Sequence, residues 1–211
     1  MSSVVRLKAD CSIKVLEAPC LYNLRTDELY AVSEEGEAFM EECLSGAARP
    51  GAGEAADFVD YCIEEGLMEL TRAPVDRFLH LRQSPVPSLR YLLLHITDRC
   101  NLKCRHCFHG EAGSTDLPLE QIMQVVDEFE EMQGLRLLVS GGEPLLHPDF
   151  WELNEYLSAR DLRPILMSNG LLIDEDVARR LRFQEVQVSL DGMKEAHEYL
   201  RGPGTFDRAM K

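Results

Sequence analysis

The chain has 211 residues, of which 45% are hydrophobic and 28% are charged, the composition of an ordinary soluble protein with room for one or two cores. A formal net charge of −15 argues against broad nucleic-acid binding, which requires a basic surface that displaces counterions. No apolar run reaches the length of a membrane span, and the first residues contain no apolar export segment. Seven cysteines without a disulfide framework favour a reducing compartment, and we expect the cytoplasm.

Residues 11–32 predict a β-hairpin near the amino end of the chain. Ile13 and Val15 alternate with polar neighbours, residues 23–27 supply turn chemistry, and residues 29–32 form the returning strand. The hairpin is short and lacks a core of its own.

Two amphipathic helices are predicted after the hairpin. Ser33 is placed to cap the first helix. The apolar face of that helix comprises Phe39, Met40, Cys43 and Leu44. The second helix ends at Gly66. Its apolar face comprises Phe58, Val59, Cys62 and Ile63. Residues 67–70 close the unit as a strand.

Together these elements resemble the winged-helix RiPP recognition element and are similar to the small peptide chaperone of pyrroloquinoline quinone biosynthesis. The pattern is carried by residues 21–46 (LYNLRTDELYAVSEEGEAFMEECLSG) and 58–70 (FVDYCIEEGLMEL). The resemblance implies that residues 1–70 are a peptide-recognition domain for the leader segment of a precursor peptide. DNA binding and a purely structural role stay open as alternatives, although both helices are acidic and the recognition-helix position has no Arg or Lys cluster.

The cysteines of this region show irregular spacing, and two lie on predicted apolar helix faces: Cys11, Cys20, Cys43 and Cys62. We therefore expect buried free thiols rather than a second metal site. Residues 71–88 contain three prolines and predict a linker between residues 1–70 and residues 89–211.

Strands and helices alternate after the linker. The predicted strands cover residues 89–97, 135–140, 164–168 and 186–190. One helix begins at Pro118, two cover residues 149–159 and 174–182, and a fourth contains Lys211. Largely apolar strands separated by helices predict successive βαβ units with right-handed crossovers, as in the wall of a parallel α/β barrel.

A cysteine-rich stretch follows the first of these strands: Cys100-Asn101-Leu102-Lys103-Cys104-Arg105-His106-Cys107. Three thiols spaced C-x3-C-x2-C can hold three corners of a cubane iron-sulfur cluster and leave the fourth iron without a protein ligand. A zinc site is the alternative, but zinc usually takes four ligands from paired C-x2-C elements, and no second pair follows. Lys103 and Arg105 place positive charge beside the thiolates, which would favour a reduced cluster unless both side chains face solvent.

This stretch resembles the signature of the radical S-adenosylmethionine (SAM) superfamily, with His106 at the aromatic position. Three further motifs agree, each at the end of a predicted strand: Gly141-Gly142-Glu143-Pro144, Ser168-Asn169-Gly170 and Ser189-Leu190-Asp191-Gly192. The resemblance implies a [4Fe-4S] cluster on Cys100, Cys104 and Cys107, with SAM on the remaining iron. It implies a SAM-binding set that comprises His106, Gly141, Gly142, Glu143, Ser189 and Arg201, and it assigns no catalytic side chain.

Within that set the resemblance assigns individual contacts. Gly141 and Gly142 let a ligand approach the backbone, and Glu143 attracts the SAM ammonium group. Ser189 hydrogen-bonds the ribose or the carboxylate of SAM, and a bidentate pair joins Arg201 to that carboxylate. A solvent-facing carboxylate at Glu143 and an ordinary loop cation at Arg201 are the open alternatives.

The resemblance implies reductive cleavage of SAM and hydrogen abstraction by a 5'-deoxyadenosyl radical, with an electron from a reductant such as flavodoxin or ferredoxin. A SPASM-type peptide maturase is the leading interpretation. A radical SAM enzyme of tetrapyrrole or molybdopterin-type cofactor biosynthesis and a non-catalytic peptide-binding protein are the alternatives. The superfamily barrel has six units and this chain supplies about four, so we expect a carboxyl-terminally truncated barrel with an open edge and little turnover of its own.

Overall fold

The computed structural model describes residues 4–33, 36, 40, 54–71, 83–110 and 112–211. The chain divides into two units, residues 1–89 with 131–133 and residues 90–130 with 134–211. Each unit has a hydrophobic core. Among the helices in these ranges, none has the length and apolar character needed to cross a membrane.

Two antiparallel sheets make up the strands of the amino-terminal unit. In the first, β1 (Val4–Leu7) pairs with β5 (Met68–Thr71). In the second, β2 (Cys11–Val15), β3 (Pro19–Asn23) and β4 (Glu28–Ala31) form a meander in chain order. The prediction of a single hairpin over residues 11–32 is wrong, because residues 16–18 turn the chain once more. The added strand begins at a proline, which is tolerated at the first position of a strand.

The helix of this unit, α1 (Glu54–Glu64), ends as predicted before Gly66, whose φ of 72° is left-handed and favours glycine. The Ser33 hydroxyl accepts a hydrogen bond from the Gly36 N–H at 3.2 Å, as a helix cap would. The rest of the predicted first helix, including Cys43, lies outside the described residues. A winged-helix arrangement therefore stays a prediction.

The amino-terminal core contains two of the cysteines predicted to be buried. Its members are Val5, Cys11, Ile13, Leu21, Met40, Val59, Cys62, Leu67 and Met68. Cys11, Cys20 and Cys62 are buried, as predicted. Burial raises the pKa of the Cys62 thiol to about 11, so this side chain is protonated and packs as an apolar group.

The second unit is a four-stranded parallel sheet. Its strands lie in chain order: β6 (Tyr91–His95), β7 (Arg136–Ser140), β8 (Arg163–Ser168) and β9 (Glu185–Val188). The connecting helices are α2 (Leu119–Glu131), α3 (Phe150–Leu157) and α4 (Glu175–Arg180). Two short helices follow β9 where the sequence predicts one, namely α5 (Lys194–Arg201) and α6 (Thr205–Ala209). The prediction that Lys211 lies in a helix is wrong, because α6 ends before it. Four successive β/α units of a parallel barrel wall are thereby confirmed.

One face of this sheet is packed, and the other, which we call the open face, is exposed along β6. Leu137 and Val139 of β7 are fully buried in a core with Ile122, Val126 and Phe129 of α2. Alternate residues of a strand point to opposite faces, and on the other face strand β6 is exposed, whereas Ile165 of β8 is buried. Tyr91 and Leu93 of β6 retain 54% and 49% of their accessible surface there.

Replacement of Leu137 by Ala should lower the free energy of unfolding of the second unit by about 2–5 kcal/mol, because it leaves a cavity in the packed face. Leu93→Ala in the neighbouring strand is the matched control and should cost under about 1 kcal/mol, since Leu93 is half exposed. Urea titrations followed by circular dichroism measure both. Equal losses for the two variants would contradict the assignment of the buried face.

Candidate functional site

Every motif singled out in the second unit lies at the same edge of the sheet. The carboxyl ends of parallel strands lie at one edge of the sheet, and α/β proteins have their catalytic and ligand-binding groups at this edge. The three cysteines follow β6, Gly141 and Gly142 follow β7, Asn169 follows β8 and Ser189 follows β9. We call residues 97–116 the cluster loop.

The cluster loop is closed at its base by side chains that the sequence analysis did not single out. Thr97 and Asp116 form an isolated antiparallel bridge, and the Thr97 hydroxyl donates to the Asp116 carboxylate at 2.6 Å. The Arg99 guanidinium donates to the same carboxylate at 2.8 Å. The adjacent residues are also paired, since the Thr115 N–H donates to the Asp98 carboxylate at 2.6 Å.

The Asp116 carboxylate accepts the hydrogen bonds of both Thr97 and Arg99. Its hydrogen bond from Thr97 and the nearby Arg99 guanidinium lower the pKa of the carboxyl group. The pairing joins positions nineteen residues apart, so no local sequence pattern signals it. The only hint is the turn-forming run Ser114-Thr115-Asp116 just before the next helix.

The Gly141-Gly142 turn packs directly on the base of the cluster loop. The Gly142 N–H donates to the Thr97 carbonyl at 2.8 Å, and the Glu143 N–H donates to the Arg99 carbonyl at 2.7 Å. A Cβ atom on Gly141 would lie 2.3 Å from the Thr97 oxygen, and one on Gly142 would lie 2.2 Å from the Arg99 oxygen. The glycines are therefore required by the approach of the chain's own backbone.

Glu143 is fully buried, with 0% of its surface exposed. Its carboxylate accepts hydrogen bonds at 2.9 Å from the Ser168 hydroxyl and from the Asn169 N–H. Burial raises the pKa of Glu143, and these two hydrogen bonds oppose the rise. The carboxylate thus links the carboxyl ends of β7 and β8. A contact between Glu143 and the SAM ammonium group stays a prediction.

Two further contacts anchor the cluster loop. The Asn169 side-chain amide donates to the Asn101 side-chain oxygen at 2.7 Å, so the exit of β8 holds the first half of the loop. The Arg105 N–H donates to the Leu200 carbonyl at 2.8 Å, and the Arg105 guanidinium lies 4.2 Å from the centre of the Tyr199 ring. Helix α5 therefore supports the middle of the loop.

Arg201 forms a bidentate pair with the carboxylate of Asp191 in the turn after β9. His106 lies near the same carboxylate, with its Nε2 atom 3.6 Å from Asp191. The Arg201 hydrogen bond lowers the pKa of Asp191. Arg201 thus lies beside the cluster loop as expected, but its carboxylate partner here belongs to the chain, and its pairing with SAM stays a prediction. Ser189 donates its backbone N–H to the Ser168 carbonyl at 3.0 Å.

The three loop thiols differ in exposure. Cys100 and Cys104 are partly buried and Cys107 is exposed. Burial raises the pKa of Cys100 and of Cys104, and the neighbouring thiols raise both further, while Arg201 opposes the rise at Cys104. Metal binding would displace these protons. In the described ranges no three His, Cys, Asp or Glu side chains are grouped to hold a single metal ion.

His95 is a site residue that sequence reasoning missed. It ends β6 on the open face of the sheet, and its ring lies 4.8 Å from the His109 ring and 5.8 Å from the Phe108 ring, centre to centre. Its Nδ1 atom is buried and has no hydrogen-bond partner within the described part of the chain. Burial lowers the pKa of His95, which keeps the ring neutral. An unused polar atom of this kind fits a site that binds a ligand.

Replacement of Glu143 by Ala should lower the free energy of unfolding by about 1–3 kcal/mol, because it leaves the Asn169 N–H buried without an acceptor. Glu143→Gln should lower the free energy of unfolding by less, since its side-chain amide oxygen can still accept one hydrogen bond. Exposed Glu120→Ala on α2 is the control and should stay within about 0.5 kcal/mol of the parent. Faster hydrogen exchange at the Asn169 amide in Glu143→Ala is the accompanying readout. An unchanged exchange rate would argue against the buried contact.

Asp116→Asn should destabilise the chain in a pH-dependent way. The folded-state pKa of Asp116 is below its ordinary value of 3.8, so its charge contributes stability above that pH and loses it as the pH falls through the folded value. The difference in unfolding free energy between the parent and Asp116→Asn should therefore be largest near neutrality and shrink below the ordinary pKa. Urea titrations at a series of pH values test this, and a difference that grows in acid would refute it.

Comparison with known proteins agrees with this geometry. A profile of the Radical SAM superfamily matches residues 94–211. Mycofactocin maturase MftC of Mycobacterium tuberculosis is 35% identical over 145 residues, which cover 66% of this chain and 37% of that protein. Fe-coproporphyrin III synthase of Methanosarcina barkeri is 33% identical over 139 residues, which cover 63% of this chain and 35% of that protein.

The fold is also shared with a solved structure. SuiB of Streptococcus suis bound to S-adenosylmethionine superposes with a TM-score of 0.64 at 16% identity, over 94% of this chain and 51% of that chain. SuiB bound to its precursor peptide SuiA gives a TM-score of 0.63 at 18% identity. This chain therefore spans little more than a third of the curated relatives and about half of SuiB. Because the superfamily profile covers more than half of the chain, the chain belongs to the radical SAM superfamily.

Proposed function

We propose that this chain is part of a peptide maturase that cleaves SAM reductively and modifies a ribosomally made peptide. The observation that carries the proposal is the anchored cluster loop, which presents three cysteine thiols at the carboxyl edge of a parallel sheet. The likeness to MftC and the fold of SuiB support a peptide substrate.

The cofactors of the superfamily are a [4Fe-4S] cluster and SAM, and the donor set of the loop fits the cluster. Cys100, Cys104 and Cys107 would hold it, and thiolates are the ligands that such clusters take. When bound, the cluster and SAM supply a 5'-deoxyadenosyl radical that abstracts a hydrogen atom from the substrate. The contribution of the chain is to position and shield these groups, as protein scaffolds do for cofactors that carry hard chemistry.

Individual side chains have separate tasks in this proposal. Asp116 and Glu143 fix the base of the cluster loop against the exits of β7 and β8. Arg201 and Asp191 set a paired charge beside His106, where the carboxylate and adenine of SAM would bind. The neutral imidazole of His95 offers a hydrogen bond on the open face of the sheet.

The amino-terminal unit would bind the leader segment of the precursor peptide. Strand β4 lies at the edge of its sheet, and Glu28, Leu29 and Ala31 are exposed there. An extended peptide can add to such an edge through main-chain hydrogen bonds. The expected groove beside the Phe39 helix lies outside the described residues.

The remaining partners follow from the same proposal. The superfamily reaction takes an electron, and a flavodoxin or ferredoxin is the proposed donor. Seven cysteines without a disulfide framework suit a reducing compartment, and the proposed location of the reaction is the cytoplasm.

A second candidate function has support from a specific finding. Fe-coproporphyrin III synthase and an AdoMet-dependent heme synthase of Methanosarcina barkeri are 33% and 34% identical to this chain over their matched residues. A tetrapyrrole substrate would leave the amino-terminal unit without a peptide-binding role. Binding of a precursor peptide by that unit therefore separates the two functions.

Anaerobic reconstitution of the chain should give about four iron and four sulfide per chain, with a spectrum that changes when SAM is added. The triple substitution of Cys100, Cys104 and Cys107 by Ala should abolish both, since it removes all three ligands. Cys62→Ala is the control and should leave iron content unchanged, because that thiol belongs to another core. Tightly bound zinc without iron uptake would overturn the cluster assignment.

Titration of the isotope-labelled full chain with precursor peptides encoded nearby should shift the amide signals of β4 first. The acidic surface of the chain favours leader segments that contain Lys or Arg, so we expect binding to weaken modestly as salt is raised. A β4 variant, Leu29→Pro, removes one backbone donor and should weaken binding, whereas Leu70→Ala in the other sheet should not. Signals of β4 that stay unchanged at saturating peptide would leave only a structural role for this unit.

A further inference from the structure

A buried amide in the turn after β8 holds the first half of the cluster loop. Asn169 keeps only 7% of its surface exposed. Its side-chain oxygen accepts a hydrogen bond from the Leu171 N–H at 3.0 Å, and its side-chain nitrogen donates to the Asn101 side-chain oxygen at 2.7 Å. A backbone N–H can only donate, so the Leu171 contact fixes which end of the Asn169 amide faces the loop.

This amide pair is the main restraint on the segment that follows the first cysteine. In the described ranges, the Asn169–Asn101 contact is the one hydrogen bond that joins residues 101–103 to another element of the chain. Asn101 itself is exposed, so packing does little to hold it. The position of the segment therefore depends on Asn169.

The same segment supplies hydrogen-bond donors to the first cysteine. Burial raises the pKa of the Cys100 thiol, and hydrogen bonds from the backbone N–H groups of Leu102 and Asn101 oppose that rise. Both donors stabilise negative charge on the sulfur. Because Asn169 fixes the segment that contains them, it also fixes the direction in which they point.

We propose that Asn169 is a positioning residue for the cluster, an inference that rests on the proposed function. Through Asn101 it holds two backbone N–H donors on the Cys100 sulfur, and this raises the reduction potential of the cluster. Hydrogen bonds to the ligand sulfurs favour the reduced state, because the added electron increases the negative charge on sulfur. In this couple the cluster gains one electron from the donor protein, no bond forms or breaks, and no proton moves.

The charged side chains of the loop have a weaker claim to this role. Lys103 and Arg105 are exposed, so water and salt screen their effect on the cluster. The two N–H groups are in contact with a ligand sulfur that is partly buried, where electrostatic interactions are stronger.

Redox titration of the reconstituted chain, with dithionite as reductant and electron paramagnetic resonance as detector, tests the proposal. Asn101→Ala removes the acceptor at an exposed position and should leave the fold intact. It should lower the ratio of reduced to oxidised cluster at a fixed potential about tenfold, a shift of about 59 mV for a one-electron couple. Asn169→Ala should give a similar shift, and the double variant should add little, because both substitutions break one contact. Gln124→Ala removes an exposed amide on α2 and should leave the potential unchanged.

A spectroscopic measurement separates positioning from a general loss of stability. In the reduced chain labelled with 15N-leucine, the Leu102 nitrogen should couple magnetically to the cluster through its hydrogen bond, and Leu102→Ile assigns that signal. Asn101→Ala should weaken the coupling. Asn101→Asp should retain it, since its carboxylate still accepts a hydrogen bond from the Asn169 amide.

The outcomes distinguish this inference from the proposed function. A chain that takes up no iron would refute the proposed function, and the positioning role with it. A cluster that forms normally, and that keeps the parent's potential and Leu102 coupling in both Asn101→Ala and Asn169→Ala, would overturn the positioning role alone.

Discussion

The close approach of two backbone segments sets the geometry of the whole site. Gly141 and Gly142 lie so near to Thr97 and Arg99 that neither position has room for a Cβ atom. The two hydrogen bonds made there tie the turn after β7 to the start of the cluster loop. Without that contact, the loop that carries the three cysteines would have fewer attachments to the sheet, and weakly attached surface loops are the mobile parts of proteins.

The other contacts of the cluster loop contribute unequally to its stability. Glu143 is a buried carboxylate whose hydrogen bonds are made to neighbours on β8, and removal of an acceptor in such a place is costly. The Asp116 and Arg201 pairs are partly exposed, so solvent screens them and each contributes less to stability than to orientation. The loop therefore owes its position mainly to backbone packing and a buried hydrogen-bond network.

The sequence predicted the parts of this structure that depend on local pattern. The alternation of apolar strands and amphipathic helices placed all four parallel strands, and the spacing of Cys100, Cys104 and Cys107 identified the loop. It did not predict contacts between positions far apart in the chain, such as Thr97 with Asp116. It misread residues 11–32 as one hairpin because the turn at residues 16–18 has only Pro19 as a signal. It assigned the glycines of the turn after β7 to ligand approach, although the approaching group in this structure is the chain's own backbone.

In the proposed function, the anchored loop holds a cluster with one iron that SAM occupies. Electron-nuclear double resonance of the reduced, reconstituted chain measures this directly when SAM carries 15N in its amino group and 17O in its carboxylate. We expect hyperfine coupling of both nuclei to the cluster, and loss of both couplings when SAM is omitted or replaced by unlabelled SAM. A reduced cluster that shows neither coupling in the presence of saturating labelled SAM would contradict it.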